Sequence, residues 1–382
     1  DKNMNGETEC SFFWGAYLNR NKCYDENTGE PDVIKASIEV LQDRFIVKYN
    51  SSDPRALTQK KAEEPMTPQE AVMRTSGTIF PVADLKEYIE SIMPKKETFL
   101  NEHYVGEILR NEMGKVVWRP NVDIHPIRSY SKPGENKTGG VEIFEMPKRS
   151  GDGTIDGSRY IAGIDPIDAD QGSSLFSMLI MDTFTDRIVS EYTARPKTAN
   201  IAYETCLRLL ELFNAQANYE MNLKGLFSYF DFHNKLHYLV DTPQILKDMD
   251  MASTKAAHGN RAKGTRANQT VNSWGRLLQA DWMLMRSNPD SKDDTRLNLH
   301  RLRSIGYIEE AIYWNPDGNF DRVSAGGMLF ILREDRMKRT HQAKTEKRVS
   351  SSRKSNDAFF KRNFGHPGDN NAIGNLDNKI KY

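Results

Sequence analysis

Three acidic residues lie at positions from which carboxylates on separate elements can meet. Asp165 ends a short apolar run, Glu220 ends a second one, and Asp321 falls in the first turn of a predicted C-terminal helix. Clustered carboxylates repel one another and stay ionised together only when cations offset their charge. Ligand sets made only of oxygen suit Mg²⁺ or Mn²⁺ rather than zinc. Two such ions about 4 Å apart can activate a water molecule and stabilise the leaving oxygen of a phosphodiester.

Each carboxylate also has an ordinary structural explanation. An aspartate at a strand end is most often a turn residue or a helix cap. The helix dipole favours an acid such as Asp321 in a first helical turn. The three positions together favour a joint site, but the pattern alone leaves both interpretations open.

The elements that would position these residues predict a mixed α/β layer. Alternating and apolar runs predict strands at 104–109, 115–119, 141–146, 160–165, 174–182, 187–194, 217–220 and 237–240. Helical periodicity predicts helices at 198–212, 224–234, 274–282 and 320–336. Several strands are expected to run parallel, and functional groups gather at the carboxyl ends of the strands in such sheets. Asp165 and Glu220 are therefore expected to be neighbours.

The two ends of the chain differ from this central part. The first 95 residues are mostly helical by pattern and show no obvious core of their own. In the helix predicted there, one face carries Val33, Ile34, Ile38 and Leu41. Beyond Met337 the sequence becomes polar and basic and loses periodicity, which predicts a disordered tail at 339–382.

Composition narrows the class of protein. The 53 Lys+Arg balance the 53 Asp+Glu, yet a net charge of zero leaves a nucleic-acid partner open, because the distribution of charge decides binding. No run of about 18 apolar residues occurs and the N-terminus lacks a signal-peptide layout, so neither membrane spanning nor classical secretion is expected. The cysteines, Cys10, Cys23 and Cys206, share no CxxC spacing and favour a reducing cytosol over a disulfide scaffold or zinc ribbon.

Residues 252–270 form a cationic stretch without a single acidic residue. A flexible cationic loop beside a carboxylate site suits sequence-independent contact with DNA phosphates. The alternative is a solvated surface loop that contacts nothing. The candidate DNA-binding residues are Lys255, Arg261, Lys263 and Arg266.

At the acidic positions the sequence also resembles a known family. Three segments resemble the nuclease motifs of tailed-phage terminase large subunits in order and in placement: Ile161-Ala-Gly-Ile-Asp165-Pro166, Tyr219-Glu220-Met-Asn-Leu-Lys-Gly225 and Asn319-Phe-Asp321-Arg-Val-Ser-Ala325. The strand at 139–147 looks like the family's lead-in, and 64–71 is similar to the stretch that closes its ATPase domain. The motifs look closest to terminases of crAss-like gut phages. The resemblance runs from residue 30 to 338. The three motifs together are specific to the family, whereas any one of them alone is a weak signal.

The resemblance implies an RNase H-like nuclease domain that cuts concatemeric double-stranded DNA during genome packaging. Asp165, Glu220 and Asp321 would be its catalytic, metal-binding carboxylates and would hold two Mg²⁺ or Mn²⁺ ions. Some members of the family use a further acid shortly after the first motif, and either Asp168 or Asp170 could fill that place here. Cleavage would leave 5′-phosphate and 3′-hydroxyl ends.

The resemblance also implies a domain organisation and a set of partners. Residues 1–95 would be the C-terminal remnant of an ATPase domain with its linker, 96–338 the RNase H-like nuclease domain and 339–382 the basic tail. The partners would be double-stranded DNA, the phage portal, the small terminase subunit and the ATPase domain of the same full-length protein. The protein would act in the host-cell cytoplasm, transiently at the procapsid portal.

One feature departs from the family pattern, because the chain has no GxxxxGK[ST] loop for nucleotide phosphates. The nearest stretch, 134–140, has no lysine after its second glycine. Either the chain is a fragment that begins inside the ATPase domain, which is the favoured interpretation, or the ATPase is encoded elsewhere. In both cases this chain is expected to hydrolyse no ATP.

Two rival functions remain open at this point. One is another RNase H-like nuclease of the resolvase or transposase type, which would prefer junctions or specific sequences. The other is a non-catalytic module that binds DNA or the portal and does not cut.

Overall fold

The computed structural model describes residues 13–50, 56–71, 78–101, 103–129, 137–168, 172–249, 251, 263–288 and 296–340. The chain divides into two compact units, Asp1–Leu332 and Arg333–Tyr382. Within the second unit an ion pair joins Arg339 to Asp335 at 2.9 Å. The last helix extends to residue 340, so residues 339–340 of the predicted tail are helical. The rest of that tail lies outside the described residues.

The described residues form eleven α-helices and seven strands. The helices are α1 (Val33–Asn50), α2 (Ala56–Glu63), α3 (Pro68–Ala71), α4 (Val82–Ile92), α5 (Lys96–Asn101), α6 (Ala199–Phe213), α7 (Gly225–Phe232), α8 (Gln244–Asp248), α9 (Gln269–Leu284), α10 (Ile305–Tyr313) and α11 (321–340). The strands are β1 (Tyr104–Arg110), β2 (Val116–Pro120), β3 (Val141–Ile143), β4 (Tyr160–Asp165), β5 (Phe176–Asp182), β6 (Arg187–Ala194) and β7 (Gln216–Tyr219). Within these ranges no helix is both long and apolar enough to cross a membrane.

The strands form one mixed sheet in the order β2-β1-β3-β6-β5-β4-β7. The expectation that several strands run parallel is wrong, since β4 and β7 are the one parallel pair among the described strands. Short connections such as 183–186 join β5 to β6 directly, and a tight turn can only return the chain antiparallel. Between the parallel strands β4 and β7 the chain passes through β5, β6 and then helix α6. The predicted α/β layer with helices on its faces is confirmed.

The strand predicted at 237–240 does not form. Leu236–Tyr238 is a 3₁₀ turn, and Leu239 makes only an isolated parallel bridge to Ala217. The preceding Asn234 has a positive φ of 56°, so the chain turns sharply after α7 and reaches the sheet for one bridge only. Leu239 thus extends the sheet edge beside β7 by one isolated bridge.

Each face of the sheet packs against its own set of helices. Side chains alternate along a strand, so Tyr160, Ala162 and Ile164 of β4 belong to the core shared with α6 and α7. Ile161 belongs to the core on the opposite face, shared with α4, α9, α10 and the first three turns of α11. The same alternation places Gly163 and Asp165 on the α11 face. Both helical layers are therefore built on apolar strand residues, and Asp165 lies on the face that α11 covers.

Several helices begin or end at residues suited to those positions. The side chain of Asn268 accepts from the N–H of Val271 at 2.9 Å where α9 begins. The side chain of Ser304 accepts from the N–H of Tyr307 at 3.0 Å and caps α10. Helix α6 ends at Asn214, whose φ of 49° lies in the left-handed region that asparagine tolerates. These capping residues determine where α9 and α10 begin and where α6 ends.

The apolar stripe of α1 faces solvent in the first unit. Ile34 is 76% exposed, and Ile38, Leu41 and Phe45 are each at least half exposed. The buried face carries Ala36, Val40 and Arg44 instead. Burial of an arginine is possible here because its guanidinium donates to both carboxylate oxygens of Glu70, at 2.9 and 2.8 Å. The helix predicted from this stripe exists, but its larger apolar side chains lie outside the core.

Candidate functional site

Helix α11 lies directly against strand β4 because Gly163 has no side chain. A Cβ atom at this position would lie 2.2 Å from the carbonyl oxygen of Ala325 and 2.2 Å from the backbone nitrogen of Leu329. Asp165 is on the same face of β4, two residues further along. Asp321 is one helical turn before Ala325. The close backbone contact therefore brings the end of β4 to the start of α11.

Replacing Gly163 by alanine should destabilise the protein, because backbone atoms on α11 cannot move aside as a flexible side chain could. We expect a loss of about 1–3 kcal/mol or more in the free energy of unfolding. Urea unfolding followed by circular dichroism would measure it. Gly151→Ala is the matched control, since a Cβ there meets nothing within 4 Å. Equal stability of the two variants would contradict the close contact.

Asp321 is held by three hydrogen-bond donors at the start of α11. Its Oδ1 accepts from the Ser174 hydroxyl at 2.8 Å, and its Oδ2 accepts from the Leu175 N–H at 2.9 Å and from Asn319 Nδ2 at 3.3 Å. The residue is 5% exposed. Burial raises the pKa of Asp321 above its ordinary value, although these donors oppose the shift. The carboxylate is thus oriented toward the chain that leads into β5.

Glu220 follows β7 and is placed by backbone contacts on both sides. Its N–H donates to the carbonyl of Ile164 at 3.2 Å, and it forms a parallel bridge with Thr265. Two residues earlier, the buried Asn218 donates to the carbonyl of Met328 on α11 at 2.9 Å. Burial raises the pKa of Glu220, and a hydrogen bond from Asn222 opposes this. The end of β7 is therefore fixed beside the end of β4 and against α11.

Asp165 is the electrostatic centre of these acids. Burial raises the pKa of Asp165 well above its ordinary value, and the neighbouring charges of Asp321, Glu220 and Glu310 raise it further. A hydrogen bond with Ser324 acts in the opposite direction. The charges of Asp321, Glu220 and Glu310 of α10 thus all act on Asp165. We call Asp165, Glu220 and Asp321 the acidic site.

The donor chemistry of the acidic site fits a divalent cation. Carboxylate oxygens are the ligands that Mg²⁺ and Mn²⁺ prefer, and a cation would relieve the mutual repulsion. Across the ranges that the structure describes, however, no three His, Cys, Asp or Glu side chains are arranged as a set able to hold a metal ion. Asp321 retains acceptor capacity beyond its three hydrogen bonds, since a carboxylate has about four lone-pair sites.

Asp168, one of two candidates for a further metal ligand, accepts hydrogen bonds from the backbone where α7 begins. Its Oδ1 accepts from the N–H of Gly225 at 2.8 Å and its Oδ2 from the N–H of Lys224 at 3.0 Å, at the start of α7. The Tyr203 hydroxyl also donates to Oδ1, at 3.2 Å. These bonds satisfy N–H groups that a helix start leaves unpaired. The other candidate, Asp170, lies outside the described residues.

Removal of the Asp168 carboxylate should lower stability and spare the chemistry. We expect Asp168→Ala to reduce the free energy of unfolding by about 1 kcal/mol, as loss of a helix cap does. Any metal-dependent activity of the acidic site should stay within a few-fold of wild type in the folded variant. Thermal unfolding and a plasmid assay on the same preparation would measure both. A stable variant without activity would instead make Asp168 a metal ligand.

The predicted cationic residues are only partly described. Lys255 and Arg261 lie outside the described residues. Lys263 donates to the carbonyl of Leu239 at 2.8 Å and pairs with Asp241 at 2.9 Å. The Asp241 carboxylate therefore offsets part of the positive charge that Lys263 could offer to DNA. Arg266 is exposed, and it directly follows Thr265, the bridge partner of Glu220. The end of the cationic stretch therefore lies next to the acidic site.

The chain matches no known protein family, and no curated protein is significantly similar to it. The acidic site must therefore be interpreted from its own geometry.

Two residues that contribute to the acidic site were not indicated by the sequence. Ser174 precedes β5 without any recognisable motif, and Glu310 lies on a helix that the periodicity did not indicate.

Proposed function

We propose that this chain is a divalent-metal-dependent endonuclease of a phage DNA-packaging motor, which cuts concatemeric double-stranded DNA. The observation that supports the proposal is that the end of β4, with Asp165, lies beside the end of β7, with Glu220, and against the first turns of α11, which begins at Asp321. A purely structural module gains nothing from buried carboxylates that repel one another, because their charge opposes folding. A phosphodiesterase site does gain from them, since they attract the cations that the reaction needs.

The arrangement of the strands supports an RNase H-like domain within the sheet. Strands β6, β5 and β4 are successive antiparallel neighbours, and β7, which follows α6, joins β4 in parallel. The two acids at adjacent strand ends, Asp165 and Glu220, come from this parallel pair. Such a pair presents both carboxyl ends at one edge of the sheet.

In this proposal the acidic site holds two Mg²⁺ or Mn²⁺ ions. Bound ions supply Lewis acidity and lower the pKa of the attacking water. The carboxylates of Asp165, Glu220 and Asp321 act as ligands, while Ser174 and Asn319 orient Asp321 through their hydrogen bonds. Hydrolysis proceeds in line at phosphorus and leaves 5′-phosphate and 3′-hydroxyl ends.

Contact with DNA is proposed to come from the cationic stretch. Exposed Arg266 directly follows Thr265, the bridge partner of Glu220. The other proposed contacts are Lys255, Arg261 and Lys263, which also pairs with Asp241. Neutralising phosphates releases counterions, so binding should weaken as salt rises and should carry little sequence preference. Such binding suits a nuclease that meets any duplex the motor delivers.

The biological setting follows from the resemblance to terminase large subunits. The residues before the sheet, 1–95, would be the remnant of an ATPase domain, and 96–338 would be the nuclease domain. The proposed partners are the ATPase domain of the full-length protein, the small terminase subunit and the portal. Cutting would take place in the host cytoplasm, at the procapsid portal.

Cleavage of plasmid DNA by the purified chain tests the proposal. We expect cutting with Mn²⁺ or Mg²⁺, none with EDTA, and similar rates on linear duplexes of unrelated sequence. A strong preference for four-way junctions or one sequence would favour a resolvase or transposase. Metal-independent DNA binding without any cutting by the folded protein would favour a binding module.

A further inference from the structure

A fully buried arginine stands next to Asp321. Arg322 is 0% exposed, although arginine is among the residues least often buried. Its Nε donates to Glu191 of β6, its Nη1 to Glu310 of α10 at 2.8 Å and to the carbonyl of Ser129 at 3.3 Å, and its Nη2 to the carbonyl of Ile127. One guanidinium thus joins a strand, a helix and the segment that precedes β3.

Glu310 secures the same turn of α11 in a second way. Its Oε2 accepts from the N–H of Arg322 at 2.8 Å and from the N–H of Val323 at 3.3 Å. These are N–H groups that the first turn of a helix leaves without intrahelical partners. The side chain and the backbone of Arg322 are therefore bound to one carboxylate, which limits both rotation and translation of the turn.

The fit around the guanidinium leaves little space for movement. A Cβ atom at Gly306 of α10 would lie 2.5 Å from Cζ of Arg322. On the other side of the backbone, Asp321 accepts from the N–H of Leu175 at 2.9 Å. The turn that carries Asp321 is thus fixed from α10 and β6 through Arg322, and from the start of β5 through Asp321 itself.

We propose that Arg322 is a positioning residue of the acidic site, which holds Asp321 in register with Asp165 through its bonds to Glu191, Glu310, Ile127 and Ser129. For its role in cleavage the inference rests on the function proposed above. A buried ion pair contributes little net stability compared with apolar residues of similar volume, whereas its geometry is strict. The planar guanidinium donates from three nitrogens to four groups, which makes the arrangement specific to arginine, since lysine has a single nitrogen.

The test compares two variants that disturb the guanidinium with one that does not. Arg322→Lys keeps the charge and loses the planar guanidinium, and Gly306→Ala keeps every charge and displaces the guanidinium. The matched control is Arg159→Lys, which alters a similar pair with buried Asp182 at the opposite end of β4. Hydrogen exchange of the Leu175 amide reports the position of Asp321 without any activity. Cleavage kinetics, DNA binding by fluorescence anisotropy and Mn²⁺ binding by electron paramagnetic resonance complete the set.

We expect both Arg322→Lys and Gly306→Ala to speed exchange of the Leu175 amide at least about tenfold, since its acceptor moves. We expect kcat and Mn²⁺ affinity to fall by about 10- to 100-fold, as when a residue that orients a metal ligand is lost. KM and DNA affinity should not change. Arg159→Lys should match wild type in all of these measurements.

Three results would overturn the positioning role. The first is wild-type Leu175 exchange and wild-type kcat in folded Arg322→Lys protein. The second is lost cleavage with unchanged Leu175 exchange, because Arg322 would then act other than through Asp321. The third is an equal effect of Arg159→Lys, which would point to general stability. If wild type cuts no DNA, the proposed nuclease function fails, and Leu175 exchange alone decides whether Arg322 positions Asp321. Should Arg322→Lys not fold, Gly306→Ala decides.

Discussion

Asp165→Ala is expected to abolish metal-dependent cleavage while the protein stays folded. The nearby charges of Asp321 and Glu220 raise the pKa of the Asp165 carboxyl, so the substitution removes one proposed metal ligand and relieves repulsion. We expect kcat to fall by about 10³-fold or more, as when one member of a catalytic unit is removed. A plasmid assay at saturating Mn²⁺ would measure the loss, and circular dichroism would confirm the fold.

Asp156→Ala is a suitable control for that experiment. Asp156 precedes the opposite end of β4 and accepts from the N–H and hydroxyl of Ser158, far along the strand from the acidic site. Its removal should leave cleavage unchanged. Full activity in Asp165→Ala, or equal losses in the two variants, would disprove the assignment of Asp165.

The second large effect concerns stability and pH in the absence of metal. The pKa of Asp165 is raised in the folded state, so between the ordinary carboxyl pKa and this raised value the folded protein binds a proton that the unfolded chain has lost. The free energy of unfolding must then fall as pH rises through that window. Below the window the penalty is absent, and above it the penalty is complete.

Asp165→Asn should remove this dependence. Above the window we expect the variant to be more stable than wild type, by about 1.4 kcal/mol for each unit that separates the folded and unfolded pKa values. Urea unfolding in EDTA from acidic to mildly alkaline pH would measure the difference. The hydrogen bonds from Ser158 lower the pKa of Asp156, so the stability that its carboxylate contributes is lost as pH falls. Asp156→Asn should therefore lower the free energy of unfolding at neutral pH, the opposite of the effect expected for Asp165→Asn. Parallel curves for wild type and Asp165→Asn would refute the coupling.

The sequence predicted the parts of this fold that depend on local pattern. The apolar runs of β4, β5 and β6 and the amphipathic stripe of α6 follow from side-chain periodicity, which is a property of each segment alone. Asp165 and Glu220 were expected to be neighbours, and the structure places both at one edge of the sheet. What the pattern could not give was strand direction, because that depends on which connections are tight turns.

The remaining differences arise from partners that are distant in the chain. Asp168 could have been a metal ligand by sequence, and only the contact with α7 shows that its oxygens accept from backbone N–H groups. Lys263 was predicted to bind DNA, but its pairing with Asp241 could not be seen in the sequence. The roles of Glu310 and Arg322 likewise depend on contacts between α10, α11 and β6. Such contacts follow from packing and carry no local signature.

The contact of Gly163 with α11 has a consequence for reading variation in this protein. Gly163 touches no substrate in the proposed mechanism, yet any side chain there collides with the backbone of Ala325 and Leu329. A library of mutants screened for activity would find Gly163 as intolerant as Asp165. A second library screened only for abundance in the cell would separate them, since Asp165 would accept many replacements there and Gly163 almost none. Gly163 would thus reject substitutions because the packing leaves no space for a side chain, and Asp165 would reject them because the proposed chemistry needs its carboxylate.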